Sequence, residues 1–371
     1  MGFVNLLCCV NMAATAYIQT PDDPLLDALC GELRQRGQQL DLDGHWPAKQ
    51  LRLCGELGVF RWFLPRHLGG LQWSDEQLTR GYLKLSAACL TTTFTITQRV
   101  GACRWLVDTE NTAAQEKWLP RLAAGDIYAT VGISHLTTSR RHLAEPVLKA
   151  RDVPGGFVLD GYSPWVTGGS HAAMIVVGAT LDDGRQLLLA APTDTPDVEA
   201  GEPSPLVALS ASHTGPVQFR NAFLGAETLL MGPADNVMSL RSGSGAGGLQ
   251  TSTLAVGLAS AALESLDNEA QRRTDLLPAA AGLRQEHARL EHDLLATAAG
   301  DQVCSSEELR TRANSLVLRA TQAALAAAKG SGYVRGHPAG RWCKEAMFFL
   351  VWSCPQPVVA AALCELAGLS D

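Results

Sequence analysis

The chain lacks the signatures of a metal-binding or nucleic-acid-binding protein. Ten cysteines are scattered over 371 residues with no C-x-x-C and no Cys/His spacing suited to a metal, so no zinc site is expected. Lys and Arg never cluster beyond the pairs Arg140-Arg141 and Arg272-Arg273, and the net charge is −7, which argues against nucleic acid as a partner. No membrane span is expected either. The apolar opening, Met1 to Ile18, is interrupted by Asn5 and Asn11, whereas a span needs about twenty mostly apolar residues. It carries no Lys or Arg, so it lacks the positive start of a signal peptide, and residues 1–20 read as a disordered leader with Met12 as an alternative start. A nucleotide loop is also missing: Gly243-Ser244-Gly245-Ala246-Gly247-Gly248 is rich in glycine, but no Lys-Ser/Thr follows it, and it reads as a linker.

What remains is an ordinary globular composition, 46% apolar and 18% charged, with length for two to three domains. The cysteines sit mostly on apolar helical patterns and read as reduced core thiols of a cytoplasmic protein.

Three regions differ in pattern. Residues 21–125 are helical, with five helices expected. Leu25, Leu26, Leu29, Leu33 and Leu40 form an apolar stripe, Ser74-Asp75-Glu76-Gln77 is a capping box, and Gly125 ends a helix through Lys117 and Trp118. Residues 126–240 are short Val-, Ile-, Leu- and Phe-rich runs parted by turns such as Pro154-Gly155-Gly156 and Asp183-Gly184. No helix-length segment separates these runs, which disfavours a parallel βαβ sheet and favours an antiparallel barrel or sandwich. Residues 241–371 carry long alanine-rich helical runs, near 283–298, 306–329, 341–351 and 358–366, which predict a helical bundle. The expected fold class is multi-domain α+β: an all-α domain, a middle antiparallel β domain and a C-terminal α bundle.

In its local motifs, too, the chain resembles the acyl-CoA dehydrogenase family between about Leu57 and Leu366. The carriers, in order, are Leu57-Gly58-Val59 with Leu64-Pro65 and Gly69-Gly70, then Lys117-Trp118-Leu119-Pro120 with Gly125. Gly161 with Trp165-Val166-Thr167-Gly168 follows, then Ser212-His213-Thr214 with Phe219, Lys329-Gly330-Ser331-Gly332-Tyr333, and Arg341 to Ala346. Each motif is weak alone; their order and separations are specific.

The resemblance implies FAD between the β domain and the bundle, an acyl-CoA or similar small substrate, and a homodimer or homotetramer whose cofactor sites are completed by a neighbouring subunit. It places Ile133 and Ser134 where a strand offers hydrogen bonds to the flavin, and Trp165 and Thr167 against the isoalloxazine. The residues alone also allow Trp165 to be a core aromatic and Thr167 a routine strand residue. Arg273 falls where an arginine reaches the pyrophosphate, although Leu276-Leu277 replaces the Phe-Gly expected after it. Gly330 and Gly332 belong to the matching turn of the bundle, whose first glycine is here Lys329, either a point charge for a phosphate or a solvated helix-end lysine.

The largest departure is at the catalytic carboxylate. Val351-Trp352-Ser353-Cys354-Pro355 places Ser353 where that glutamate is expected, and the alternative position on the first bundle helix, near Gly247, also lacks a carboxylate. A serine hydroxyl is too weak a base to take a proton α to a thioester unless another group activates it. His135 and His213 are candidate relocated bases, each also readable as a structural histidine. Thr137 to His142 adds hydroxyls and two arginines that could receive an anion or merely face solvent. The expected function is an FAD-dependent oxidoreductase on a CoA thioester with its base absent or displaced. A flavin-dependent oxygenase, which needs no carboxylate, and a non-catalytic relative are the alternatives.

Overall fold

The computed structural model describes residues 17–137, 146–240 and 249–369. Most of the leader, the glycine-rich stretch with Gly247 and the loop from residue 138 to His142 lie outside the described residues.

The N-terminal region holds the five expected helices. Helix α1 (Pro24–Asp43) starts where the Asp23 carboxylate accepts the Leu25 N–H at 3.0 Å, and it ends at Gly44 in the left-handed region. It buries Leu26, Leu29, Leu33 and Leu40, the stripe read from the sequence. Helix α2 (Ala48–Glu56) follows a short loop, and α3 (Asp75–Ala88) opens on the Ser74/Gln77 capping box, with bonds of 3.2 and 2.9 Å. Helix α4 (Leu90–Asp108) is buried from Leu90 through Thr97, as befits a central helix enclosed on all sides. Its Thr93 and Thr95 hydroxyls bond carbonyls one turn back, at 2.9 and 3.0 Å, so they need no outside partner. Helix α5 (Thr112–Ala124) stops at Gly125 with φ 83°.

The middle region is one eight-stranded sheet rather than a closed barrel or a two-sheet sandwich. Strands β1 (Ala129–Gly132), β2 (Leu148–Val153), β3 (Gly156–Thr167), β4 (Met174–Leu181), β5 (Gln186–Pro192), β6 (Val198–Ala200), β7 (Thr214–Gly225) and β8 (Leu229–Ala234) run in the order β6-β7-β3-β2-β4-β5-β8, with β1 also on β4. The hairpins expected at Gly155 and Gly184 are present, both glycines having positive φ. The sheet is nevertheless mixed, because β1 and β2 both pair with β4 in parallel. Such long-range pairings leave no mark on turn chemistry, so alternation and turn residues alone suggest an all-antiparallel arrangement. A four-residue helix, α6 (Ser134–Thr137), follows β1 and packs against β3.

Helices α7 (Gln250–Ala270), α8 (Leu277–Ala299), α9 (Ser306–Gly332), α10 (Pro338–Met347) and α11 (Gln356–Leu366) form the bundle. One apolar core runs through both helical regions, joining Leu85 and Ile96 to Leu254, Leu258, Leu316 and Phe349. A second core seats α4 and α5 on the sheet through Leu106, Trp118, Met174 and Leu188. The thiols divide in consequence: Cys30, Cys54, Cys89 and Cys103 are core residues, while Cys304, Cys343 and Cys354 are half-buried and Cys364 is exposed. Among the described residues no helix is long and apolar enough to cross a membrane, and no group of side chains is suited to hold a metal ion.

Candidate functional site

Four of the seven residues proposed to bind the cofactor lie at strand ends: Ile133 and Ser134 follow β1, and Trp165 and Thr167 close β3. Gly132, at the end of β1, lies so close to β3 that an added Cβ would stand 2.8 Å from Ser163 Oγ and 3.3 Å from Val166 Cγ2. That approach brings the end of β1, just before Ile133 and Ser134, against the C-terminal part of β3, which carries Trp165 and Thr167. Trp165 is 55% exposed, a large apolar face turned out of a strand whose neighbours Val166 and Thr167 are buried. Thr167 is 2% exposed, and its hydroxyl is 2.9 Å from that of Thr214, which is in turn 2.9 Å from that of Ser212. A chain of three hydroxyls can reverse its donors and acceptors together, so Thr167 can present either to a ligand. Its own carbonyl accepts from Tyr128 at 3.3 Å.

The strand end is held from the N-terminal region by groups the sequence did not flag. Gly168 N–H donates to the His213 carbonyl at 3.1 Å. His213 Nε2 donates to the Gly44 carbonyl at 2.9 Å, and its Nδ1 lies 2.9 Å from His171 Nε2. Trp46, from the α1–α2 loop, stacks on His171 at 4.4 Å between ring centres and covers Gly168. A side chain at 168 would have no room, since its Cβ would fall 2.4 Å from Trp46 Cη2. The sequence signal for this contact is Gly168 itself.

Both ring nitrogens of His213 are thus engaged, which removes it as a base. His135 differs. Its Nε2 donates to the Gly178 carbonyl at 2.8 Å, so in the neutral ring Nδ1 carries the lone pair, and that buried atom has no partner among the described residues. Burial holds its pKa below the ordinary histidine range, outweighing the Gly178 bond, so the ring is neutral near pH 7.

Arg273, Gly330 and Gly332 form a second group, on the bundle. Arg273 donates to the Ala327 carbonyl at 2.7 Å and has Asp275 at 3.7 Å, so its guanidinium serves the end of α9. Gly330 is exposed and Gly332 buried there, and the backbone just before them breaks helical geometry at Lys329, with φ 54° and ψ −147°.

Ser353 lies in the turn before α11, exposed, with φ 45°. The turn is fixed from below: Arg310 donates to the Phe349 and Trp352 carbonyls at 3.2 and 2.9 Å, and Asn314 to Phe349 at 3.0 Å. From above, Trp352 stacks on Phe348 and both meet the edge of Phe94 on α4, each pair 5.0 or 5.1 Å between centres. This aromatic trio, also missed from the sequence, ties the turn before Ser353 to α4 of the N-terminal region.

Exposed Trp165 beside a buried, switchable hydroxyl fits a flat heteroaromatic ring with a hydrogen-bonding edge. Helices, a mixed sheet and a helical bundle in this order are the acyl-CoA dehydrogenase fold. Residues 26–126 match the family described as "Acyl-CoA dehydrogenase, N-terminal domain". The chain is 24% identical over 335 residues to the mitochondrial short-chain specific acyl-CoA dehydrogenase of Mus musculus, covering 85% of this chain and 81% of that one. It is also 26% identical over 161 residues to the oxygenase subunit HsaA of a flavin-dependent monooxygenase of Rhodococcus jostii, covering 43% and 38%. Butyryl-CoA dehydrogenase from Megasphaera elsdenii superposes with a TM-score of 0.78 at 16% identity, over 96% of this chain and 99% of that one. Residues 26–126 thus match the family's N-terminal domain, and the chain shares the family's fold.

Proposed function

We propose that this protein is an FAD-dependent oxidoreductase acting on an acyl thioester, with domains near 21–125, 126–240 and 241–371. We place it in the cytoplasm as a homo-oligomer. The observation that carries the reading is the half-exposed indole of Trp165 next to the buried Thr167 hydroxyl. A bare tryptophan face on a well-packed strand costs burial free energy unless a planar partner covers it.

Bound FAD supplies a two-electron acceptor. Trp165 would offer the ring an apolar wall, Thr167 a hydroxyl backed by Thr214 and Ser212, and Ile133 and Ser134 hydrogen-bonding groups from the end of β1. Arg273, Gly330 and Gly332 would contribute to the cofactor site of a second copy of the chain. Ser353 cannot take the substrate proton, because a hydroxyl without an activating base is not ionised near neutral pH. His135 Nδ1 is the nearest neutral lone pair in sequence to this edge, but its burial keeps substrate from it in the described arrangement.

Loss of the carboxylate favours a second reading, a flavin-dependent oxygenase, because oxygen chemistry at a reduced flavin needs no α-proton abstraction. The visible absorption spectrum of the purified protein tests both. A yellow protein bleached anaerobically by acyl-CoA supports the dehydrogenase, whereas oxygen uptake only with an added flavin reductant supports the oxygenase. A colourless protein that takes up no FAD on reconstitution defeats both and leaves a non-catalytic relative.

A further inference from the structure

A cavity of about 210 Å³ opens away from these residues, between α1 and α3 on one side and α7 and α8 on the other. Its walls carry Asp27, Arg34, Lys84, Glu264, His287 and Glu291. The floor is His287, only 5% exposed, whose Nε2 donates to the Val256 carbonyl at 3.2 Å. That bond fixes the neutral tautomer and leaves Nδ1 as a lone pair. Nδ1 faces a Glu291 carboxylate oxygen at 3.5 Å, so two acceptors oppose each other across a gap. A proton on the ring would reconcile them, but burial works against it and holds the pKa below the ordinary histidine range. Any donor that enters the cavity, water or a ligand N–H, can satisfy both, since the Glu291 side chain is 41% exposed.

Charge narrows the donor. Lys84 is neutralised by Asp27 at 2.8 Å and Arg34 lies 3.9 Å from Glu264, which leaves Glu291 without a cation of its own in the lining. Three carboxylates against two cations give the walls an excess negative charge when His287 is neutral, so phosphates and other anions are disfavoured. The volume admits several water-sized groups, enough for a ligand of roughly six heavy atoms.

We propose that this cavity binds a small primary-ammonium ligand, whose N–H groups bridge His287 Nδ1 and the Glu291 carboxylate. The ligand is held on α8, where the cavity faces α1 and α3, and it stabilises the protein by mass action because the unfolded chain offers no such site. The site shares no residue with the flavin-contact set, so the proposal stands or falls separately from the function above.

Isothermal titration of the full-length protein with ethylammonium, β-alanine and acetate tests it. Ethylammonium binds with a stoichiometry of one per chain and raises the melting temperature, while acetate does neither; β-alanine tells whether the natural ligand is an amino acid or a simple amine. Glu291→Gln weakens ethylammonium binding by roughly tenfold or more, the loss of a charge-assisted bond, and Glu291→Lys abolishes it. Position 291 is half-exposed on a helix, so both variants keep the fold, which unchanged far-ultraviolet circular dichroism verifies. No heat and no melting shift with either ammonium compound at millimolar concentration overturns the proposal, as does equal binding of acetate or an unaltered affinity in Glu291→Gln.

Discussion

Glu345 should make the protein less stable as the pH rises from 5 to 8 (about the window of its titration), and Glu345→Gln should remove that loss. The side chain is 3% exposed on α10, with Arg341 Nε 3.6 Å away one turn earlier and the Asp41–Lys344 pair, 2.8 Å apart, nearby. Burial pushes its pKa from 4.5 up to about 7; Asp41 adds to the rise, while Arg341 and Lys344 oppose it. Below pH 4.5 the folded and unfolded chains are both protonated here and the group contributes nothing to the pH dependence. Between 4.5 and about 7 the unfolded chain gives up the proton while the folded chain keeps it, so stability falls. Above that window the folded state carries the whole cost, on the order of 3 kcal/mol. Glutamine reproduces the neutral acid in size and leaves Arg341 as it stands beside the protonated glutamate. The variant should therefore match wild type near pH 5 and exceed it by up to about 3 kcal/mol near pH 8, read from urea midpoints and slopes. A constant difference across this range, or a less stable variant at pH 8, would refute the account.

Three further outcomes can be checked. Burial lowers the pKa values of His135, His171 and His287, so the unfolded chain takes up these protons first and stability should drop as pH falls below about 6.5; His171→Phe keeps a ring against Trp46 and should flatten part of that acid slope in thermal melts, and an unchanged slope would count against it. Gly168→Ala should cost more than about 1 kcal/mol, because φ is +63° and the new Cβ meets the rigid Trp46 indole; a melting temperature equal to wild type would show that the α1–α2 loop yields. Ser353→Glu should raise the rate of acyl-CoA-dependent flavin bleaching without changing the fold, since the position is exposed in a turn held by Arg310 and Asn314; the same rate with flavin bound would reject the assignment of that position.

Local chemistry was legible in the sequence wherever a single segment decided the outcome. The Ser74/Gln77 capping box, the Gly125 stop, the α1 leucine stripe and the Gly155 and Gly184 hairpins all form as their residues dictate. The approach of β1 to β3 at Gly132 was not legible, although the motifs flagged residues on both strands. Illegible features depend on residues far apart in the chain. The parallel pairings of β4, the Trp46–His171–His213 assembly and the Phe94–Phe348–Trp352 trio each join segments with no shared periodicity. Histidines look alike in a sequence, and only their partners separate His213, with both nitrogens committed, from His135 with one left over.

The amide and guanidinium props under residues 349 and 352 have a corollary for substitution. Because they grip main-chain oxygens, the shape of that turn does not hang on the Ser353 hydroxyl. What restricts the choice at 353 is its φ of 45°, which an unbranched side chain tolerates better than a β-branched one, so an acid can be written into or out of this exposed spot with little toll on the scaffold.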